Sequence, residues 1–312
     1  MRGRGDAAIG RHGDKKEKPE SHLHNETSSN ALVTQSPRPR VSPSPRPSRR
    51  FGQNFLTDKN IIQKIISALE PQPNETIVEI GPGRGALTAP LLQRECSLLA
   101  IEFDRNLIAP LTEKFGALNN FKLVQSDALL TNICDEIRPA SSARVVANLP
   151  YNVATAILQR LIEQRHCLSE LVLMLQKEVV DRITAVPGSP DRGYLSVFVQ
   201  AYCETEKLFD VAPGAFRPAP KVWSTVIKLV TRPDLAVPVK DERLLWQIVS
   251  AGFAQRRKTI LNNLRNVPGP LQEVVKNNGG ASIVLCRAEV DLQRRAETLT
   301  LDEWARIARA IQ

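Results

Sequence analysis

Long apolar runs are missing from this 312-residue chain. The longest, from Leu171 to Leu175, has the length of a strand and falls well short of the ~18–20 residues a helix needs to cross a bilayer. Residues 1–30 hold no apolar segment of the kind a secretory signal carries. Both absences argue against a membrane-spanning or secreted protein. Cysteine is sparse and scattered: Cys96, Cys134, Cys167, Cys203 and Cys286 are odd in number, and no Cys-x-x-Cys occurs. That inventory predicts reduced thiols in a cytosol-like compartment, with neither a disulfide framework nor a zinc site. Histidine is equally scarce. Of His12, His22, His24 and His166, only the last lies outside the N-terminal tail, which leaves almost nothing for a metal centre or a Ser-His-Asp triad.

Charge is unevenly spread. The net charge is +9, but residues 1–50 hold 11 Lys/Arg against 5 Asp/Glu, while the remaining 262 residues hold 31 against 28. Whole-chain charge is thus weak support for nucleic-acid binding, and local clusters must carry that argument. The tail itself, with Ser36-Pro37-Arg38-Pro39-Arg40 and Ser42-Pro43-Ser44-Pro45-Arg46-Pro47, is expected to be disordered, because each Pro removes a donor and restricts its neighbour. Its plain reading is a solvated extension; its functional one is an electrostatic tether for RNA. Asp6, Asp14, Glu17, Glu20 and Glu26 argue against an organellar transit peptide, which is poor in acids.

Order is expected from Phe51. Thr57 or Asp58 can cap a helix whose apolar face is Ile61, Ile62, Ile65, Ile66 and Leu69. Strands are predicted at Thr76–Ile80, Leu98–Glu102, Phe121–Gln125, Val145–Asn148, Leu171–Gln176, Val197–Tyr202 and Val226–Val230. The first five alternate with segments of crossover length, the pattern of a mostly parallel α/β sheet, and the last two read as a late antiparallel pair. Beyond Pro233 and Pro238 the pattern becomes helical, over Glu242–Phe253, Arg257–Leu264, Pro270–Asn277 and Leu301–Ile311. A boundary in Arg232–Lys240 divides the chain into a tail (1–50), an α/β domain (51–232) and a helical domain (233–312).

Three strand ends carry a cofactor signature. Gly81-Pro82-Gly83-Arg84-Gly85 follows the first strand, where glycines permit a tight turn and close approach of a ligand to the main chain. Glu102, ending the next strand, can accept hydrogen bonds from both hydroxyls of a ribose. Asp127, after the third, can accept from the exocyclic amine of an adenine. A nicotinamide dinucleotide fold shares the glycines and the acid. The acid at Glu79 and the Gly-x-Gly-x-Gly spacing favour S-adenosylmethionine.

The fourth strand ends in Asn148-Leu149-Pro150-Tyr151. Methylating an exocyclic amine on a base is difficult, because its lone pair is delocalised into the ring. The Asn148 side-chain carbonyl and a backbone carbonyl near Leu149 can accept both N–H groups and draw the nitrogen toward a tetrahedral shape. Pro150 stiffens that backbone, and Tyr151 offers a face on which an extruded base can stack.

With these motifs in order, the chain resembles the small-subunit ribosomal RNA adenine N6,N6-dimethyltransferases, the kasugamycin-sensitivity methylases, from about Arg50 to Gln312. Phe51-Gly52-Gln53-Asn54-Phe55-Leu56 matches the family's N-terminal motif, which implies that Asn54 and Leu56 contact the cofactor. Phe209-Asp210-Val211 and Phe216-Arg217-Pro218-Ala219-Pro220-Lys221-Val222 match its second base-pocket segment, implying that Phe216 covers the other face of the adenine. Phe253-Ala254-Gln255-Arg256-Arg257-Lys258-Thr259 matches the start of its C-terminal basic helix. Ser126, where the family usually has Gly, and Trp223, where it has a small or acidic residue, depart from the pattern.

The resemblance implies a Rossmann-like S-adenosylmethionine-dependent methyltransferase fold with a smaller all-helical C-terminal domain. It implies a cofactor set of Asn54, Leu56, Gly81, Glu102, Asp127 and Asn148, and a catalytic set of Asn148, Leu149, Pro150, Tyr151 and Phe216. Arg217, Lys221, Arg256, Arg257 and Lys258 are the expected RNA contacts, and no metal is expected. The expected partner is small-subunit rRNA in a pre-ribosomal subunit, met by a cytoplasmic monomer with no membrane attachment. Competing readings are a large-subunit rRNA adenine methylase giving antibiotic resistance, a ribosome-assembly or transcription factor that keeps the fold without the activity, and a small-molecule methyltransferase, which would not need a helical domain bearing Arg256, Arg257 and Lys258.

Overall fold

The structure, a computed structural model, describes residues 53–311. The 1–50 tail and the first two residues of the N-terminal motif, Phe51 and Gly52, lie outside them.

A seven-stranded sheet organises the chain. Its strands are β2 (Thr76–Ile80), β3 (Ser97–Glu102), β4 (Phe121–Gln125), β5 (Ala143–Asn148), β6 (Leu168–Gln176), β7 (Cys203–Val211) and β9 (Ser224–Thr231), in the order β4-β3-β2-β5-β6-β9-β7. The pairs from β4 to β6 are parallel, and β9 runs antiparallel to both β6 and β7. Two short strands, β1 (Phe55–Leu56) and β8 (Phe216–Arg217), form a separate antiparallel ladder pairing Leu56 with Phe216.

The apolar runs follow from burial on both faces. Along β6, Leu171, Leu173 and Leu175 enter one core, while Val172 and Met174 enter the other. Helices α4 (Ile133–Glu136), α5 (Ala154–Glu163), α6 (Lys177–Ile183) and α7 (Tyr194–Tyr202) contribute Ile133, Leu158, Val180 and Val199 to the first core. Helices α1 (Lys59–Leu69), α2 (Thr88–Leu92) and α3 (Arg105–Phe115) contribute Ile66, Leu91 and Leu111 to the second. Asp58 caps α1, its side chain accepting from the amides of Asn60 and Ile61, as the sequence predicts.

Val197–Tyr202 is not a strand. It lies in α7, whose start is fixed by the Ser196 hydroxyl accepting from the Gly193 amide at 3.0 Å. Its β-branched run misleads because two cores flank the helix: Leu195, Val199 and Tyr202 face the sheet, while Val197 enters the core of the C-terminal helices. Burial on both sides erases the 3.6-residue alternation that marks a surface helix. The late antiparallel pair is instead β7 with β9.

The C-terminal helices are α8 (Glu242–Gly252), α9 (Ile260–Arg265), α10 (Pro270–Asn277), α11 (Ala281–Arg287) and α12 (Leu301–Ile311), of which α11 is additional to the predicted set. They pack around a fully buried Trp304. They adjoin the sheet through an aromatic cluster of Tyr194, Phe198, Tyr202 and Trp246, in which the Trp246 indole donates to the Tyr202 hydroxyl at 2.9 Å.

The reading of five reduced thiols is corrected. Cys134 on α4 and Cys167 before β6 form a disulfide, their Cα atoms 5.6 Å apart, whereas Cys96, Cys203 and Cys286 are free. Their 33-residue separation carried no sign of this contact, because β5 and α5 fold back between them.

Candidate active site

In an open parallel sheet, ligands collect at the carboxyl ends of the strands where the order reverses direction. Here that point lies between β2 and β5, and the register that pairs Ile80 with Ala147 brings Gly81 level with Asn148. A cleft opens there, lined by Gln53, Asn54, Phe55, Gly81, Gly83, Glu102, Asn148, Leu149, Pro150 and Tyr151.

The glycine turn is left-handed at three points, with φ of 69° at Gly81, 60° at Gly83 and 79° at Gly85. The last two are also sterically closed: an added Cβ would sit 3.1 Å from the Phe55 ring at Gly83 and 2.6 Å from Phe115 at Gly85. At Gly81 it would meet no protein atom within 4 Å, so the space beside that glycine is open. Phe55 is itself held by the Arg84 guanidinium, 4.7 Å from its ring centroid.

Glu102 is buried, and its carboxylate accepts from the Gly83 amide at 3.1 Å and the Asp104 amide at 2.8 Å. Burial raises its pKa, opposed by the amides of Asp104, Gly83 and Phe103. Behind it, Glu79 is buried with Thr88, whose hydroxyl donates to Glu79 Oε2 at 2.6 Å. Burial pushes the Glu79 carboxyl up to about 7, and the neighbouring Glu102 charge adds to the rise.

The Asn148 Nδ2 group donates to the Asn54 carbonyl at 3.2 Å. This bond orients the amide and leaves its oxygen as the acceptor presented elsewhere. The Tyr151 hydroxyl is bonded to Ser224 Oγ at 2.7 Å, where Ser224 starts β9 and is fully buried. Burial raises the Tyr151 phenol above its ordinary value of 10.0, with the Ser224 bond opposing, so Tyr151 is protonated at neutral pH.

Other expected site residues lie further off. Leu56 and Phe216 are buried in the second core, at 6% and 1% exposure, and do not line the cleft. Asp127 is half-buried outside the cleft lining, and its Oδ1 accepts from the Leu129 amide at 2.9 Å. Among the expected RNA contacts, Arg217 and Lys221 are exposed, as is Trp223 at 51%. Arg256, Arg257 and Lys258 are exposed too, but in the turn that precedes α9. The helix expected from Arg257 starts at Ile260, because Thr259 caps it by accepting from the Asn262 amide. The Arg256 guanidinium donates to the Pro190 carbonyl, so part of its donor set is engaged. Ser224 escaped the sequence reading. Its only signal was a small polar residue opening a strand otherwise rich in Val and Ile.

A seven-stranded sheet that is parallel from β4 to β6 and antiparallel at β9 and β7, with a left-handed glycine turn and a carboxylate at the next strand end, has the architecture of a Rossmann-like S-adenosylmethionine-dependent methyltransferase. Residues 46–307 match the ribosomal RNA adenine dimethylase family, and the chain belongs to that family. It is 45% identical over 222 residues to a ribosomal RNA small subunit methyltransferase A of Xanthomonas campestris pv. campestris (strain B100), covering 71% of this chain and 84% of the relative. With the protein of the same name from Xanthomonas euvesicatoria pv. vesicatoria (strain 85-10) it shares 42% identity over 260 residues, 83% of this chain and 94% of the relative. Among solved structures, a dimethyladenosine transferase from Plasmodium falciparum superposes with a TM-score of 0.65 at 24% identity, over 81% of this chain and 95% of that one. The 23S rRNA methyltransferase ErmE superposes with a TM-score of 0.61 at 24% identity, over 83% of this chain and 99% of that one. These two likenesses concern the fold.

The residues present fit S-adenosylmethionine. Glu102 brings an accepting carboxylate to the cleft, open space adjoins the Gly81 backbone, and the cleft extends from there to the amide of Asn148. The protein is an S-adenosylmethionine-dependent rRNA adenine dimethyltransferase by family.

Proposed function

We propose that the chain transfers methyl groups from S-adenosylmethionine to the N6 atoms of adjacent adenines in small-subunit rRNA within a pre-ribosomal particle, acting as a cytoplasmic monomer. The observation that carries this reading is the Asn148 amide, held by the Asn54 carbonyl in one cleft with Tyr151 and Glu102. The name shared by the Xanthomonas relatives supports the choice of subunit.

In this reading Asn54, the backbone at Leu56, Gly81, Glu102 and Asp127 hold the cofactor, whose sulfonium supplies an electrophilic methyl and departs as a neutral thioether. The extruded adenine stacks on Tyr151. The Asn148 oxygen and the Leu149 backbone carbonyl accept the two N6 hydrogens, and Pro150 limits the movement of that carbonyl. As the N6 lone pair forms the new N–C bond, the nitrogen gains positive charge and both acceptors bind more tightly, which is where the rate gain arises. The surplus proton leaves to water, so no strong base is needed. Phe216, buried on β8, backs the pocket through the pairing of β8 with β1.

Residues 233–312 act as an RNA-binding domain. A small pocket cannot choose one adenine among many, so selection rests on a remote surface that reads rRNA shape and phosphates. Arg217, Lys221, Arg256, Arg257 and Lys258 supply its charge, and Trp223 adds an aromatic face beside the pocket. The test is mass mapping of dimethyladenines in rRNA from a deletion strain and from the same strain carrying the gene. Restored dimethyladenines in small-subunit rRNA are expected; restoration only in large-subunit rRNA, or none, would overturn the reading.

A further inference from the structure

The fold gathers Cys134, Cys167 and His166 into one cluster remote from the methyl-transfer cleft. Cys134 Sγ lies 3.1 Å from His166 Nε2. The three potential ligand atoms all lie within 4.8 Å of one another. Cys167 is buried, Cys134 half-buried and His166 exposed, so the cluster opens to solvent on one side. It sits at the opposite end of β5 and β6 from Asn148, since Ala143 pairs with Leu168 where Asn148 pairs with Met174.

We propose that in the reduced protein these three side chains bind a divalent cation of the zinc class, and that the disulfide is the oxidised, metal-excluding state of the same site. Two thiolates and an imidazole form a soft-to-borderline donor set that favours zinc over magnesium or calcium. Tetrahedral zinc with bonds of about 2.0–2.3 Å holds its ligand atoms roughly 3.5–3.8 Å apart. The His166 nitrogen and Cys134 sulfur are close to that spacing already, and the two sulfurs reach it by a side-chain rotation at the half-buried Cys134. Solvent supplies the fourth ligand.

The backbone holding the cluster does not depend on the disulfide. The Gln164 side chain, 3% exposed, accepts from the Ile133 amide at 2.7 Å and so joins the turn before β6 to the start of α4. The Cys167 amide donates to the Gln164 carbonyl at 3.1 Å, and the Ala143 amide donates to the Cys167 carbonyl at 2.9 Å. Ile133 and Ile137 anchor the two ends of α4 in the sheet core. Opening the S–S bond therefore leaves two thiols and an imidazole facing one another. The exchange balances: a dithiol reductant gives two electrons and two protons to the Cys134–Cys167 disulfide and becomes a disulfide itself. Zinc then displaces the two thiol protons as both Zn–S bonds form. The bound ion ties α4, downstream of the Asp127 loop, to the turn before β6.

The test uses the full chain, reduced, stripped of metal by chelation and kept free of oxygen. Cobalt(II) and zinc are titrated as simple salts against the reduced protein, the disulfide form, and the Cys134→Ser, His166→Ala and Cys286→Ser variants. One equivalent of cobalt with thiolate-to-metal charge-transfer absorption is expected, displaced by zinc. It should be absent from the disulfide form and from Cys134→Ser, and unchanged in Cys286→Ser, which alters a free, exposed thiol. His166→Ala changes an exposed side chain that the fold does not need. It should weaken binding at least as much as loss of an outer-shell partner does, about 10–100-fold. Equal S-adenosylmethionine binding by all variants would show that they are folded. Absence of metal binding by the reduced protein would overturn the proposal. So would binding without thiolate absorption that survives Cys134→Ser, the result expected if only His12, His22 and His24 take up the metal.

Discussion

Asn148 offers the sharpest test of the methyl-transfer chemistry, because its two amide ends have separate tasks. Its nitrogen donates to the Asn54 carbonyl at 3.2 Å, and in the proposed reading its oxygen is the acceptor for the target amine. Replacement by Ala removes one pre-aimed partner of a nitrogen that becomes cationic in the transition state. Loss of one such partner at a developing charge costs about 100–1,000-fold in turnover, or roughly 3–4 kcal/mol. RNA affinity should barely change, since the interaction is weak in the ground state. Replacement by Asp keeps the acceptor oxygen but places a second oxygen against the Asn54 carbonyl. Two acceptors then face each other, and only a protonated Asp relieves the conflict by donating to that carbonyl. The Asp variant should therefore regain activity as pH falls through its raised pKa, while the Ala variant should not. The assay is single-turnover methyl transfer to small-subunit RNA with both substrates saturating, run across pH. Parental turnover in Asn148→Ala, or identical pH profiles for Ala and Asp, would refute the assigned roles.

The remaining predictions address the supports of the site. Glu102→Ala should weaken S-adenosylmethionine binding by about 1–3 kcal/mol in calorimetry, since it removes a charged acceptor, and unchanged affinity would count against the ribose assignment. Glu79 bears on stability: with its folded pKa raised from 4.5 to about 7, the folded chain holds the proton more tightly, so stability falls as pH rises between those values. The loss is at most roughly 1.4 kcal/mol per pH unit. Glu79→Gln, which keeps an acceptor for Thr88, should make that slope shallower in thermal melts, with the raised Glu102 carboxyl keeping its own share; equal slopes would contradict a proton on Glu79. At Gly252 an added Cβ would lie 2.4 Å from the Trp304 ring. The ~1–3 kcal/mol of overpacking should exceed the ~1 kcal/mol gained in helix propensity, so Gly252→Ala should melt earlier than the parent. Triple replacement of Arg256, Arg257 and Lys258 by Ala should weaken subunit RNA binding and flatten its salt dependence by up to about three counterions, leaving cofactor affinity unaltered. An unchanged slope would make these residues an ordinary solvated turn.

The parallel part of the sheet was legible because β2, β3, β5 and β6 are short apolar runs bounded by turns, and burial on both faces demands that composition; the edge strand β4, half-exposed, was found from Phe121, Leu123 and Val124 alone. The glycine turn, Glu102 and the Asn148–Tyr151 segment were legible for a different reason. Each follows a strand directly, so finding the strand locates the residue at the ligand-binding edge. Failures occurred where the environment comes from distant sequence. Val197 is buried by the C-terminal helices, which no local period of α7 reveals. Cys134 and Cys167 meet because β5 and α5 fold back between them. The start of α9 was misplaced because basic residues read as a helix face, whereas Thr259 caps the helix two residues after Arg257.

The cleft also shows why its pocket segments lie so far apart in the chain. Asn148 is oriented by a backbone carbonyl 94 residues earlier, and Tyr151 is held by a hydroxyl 73 residues later. The earlier segment is bound in turn to the later one: Leu56 pairs with Phe216, and the Thr57 amide donates to the Ala215 carbonyl at 2.8 Å. These bonds form a closed circuit from β1 to β8, along the chain to Ser224, across to Tyr151, back through Asn148 and on to Asn54. A tilt of the Tyr151 ring would have to break the Ser224 bond, and a turn of the Asn148 amide would break its bond to Asn54. Amine methylation without a strong base depends on geometry held within a few tenths of an ångström. A pocket closed by three separate chain segments supplies that rigidity where a single loop after β5 could not. Tyr151→Phe is thus expected to keep the stacking face yet lose turnover, because it opens the circuit while leaving the ring in place.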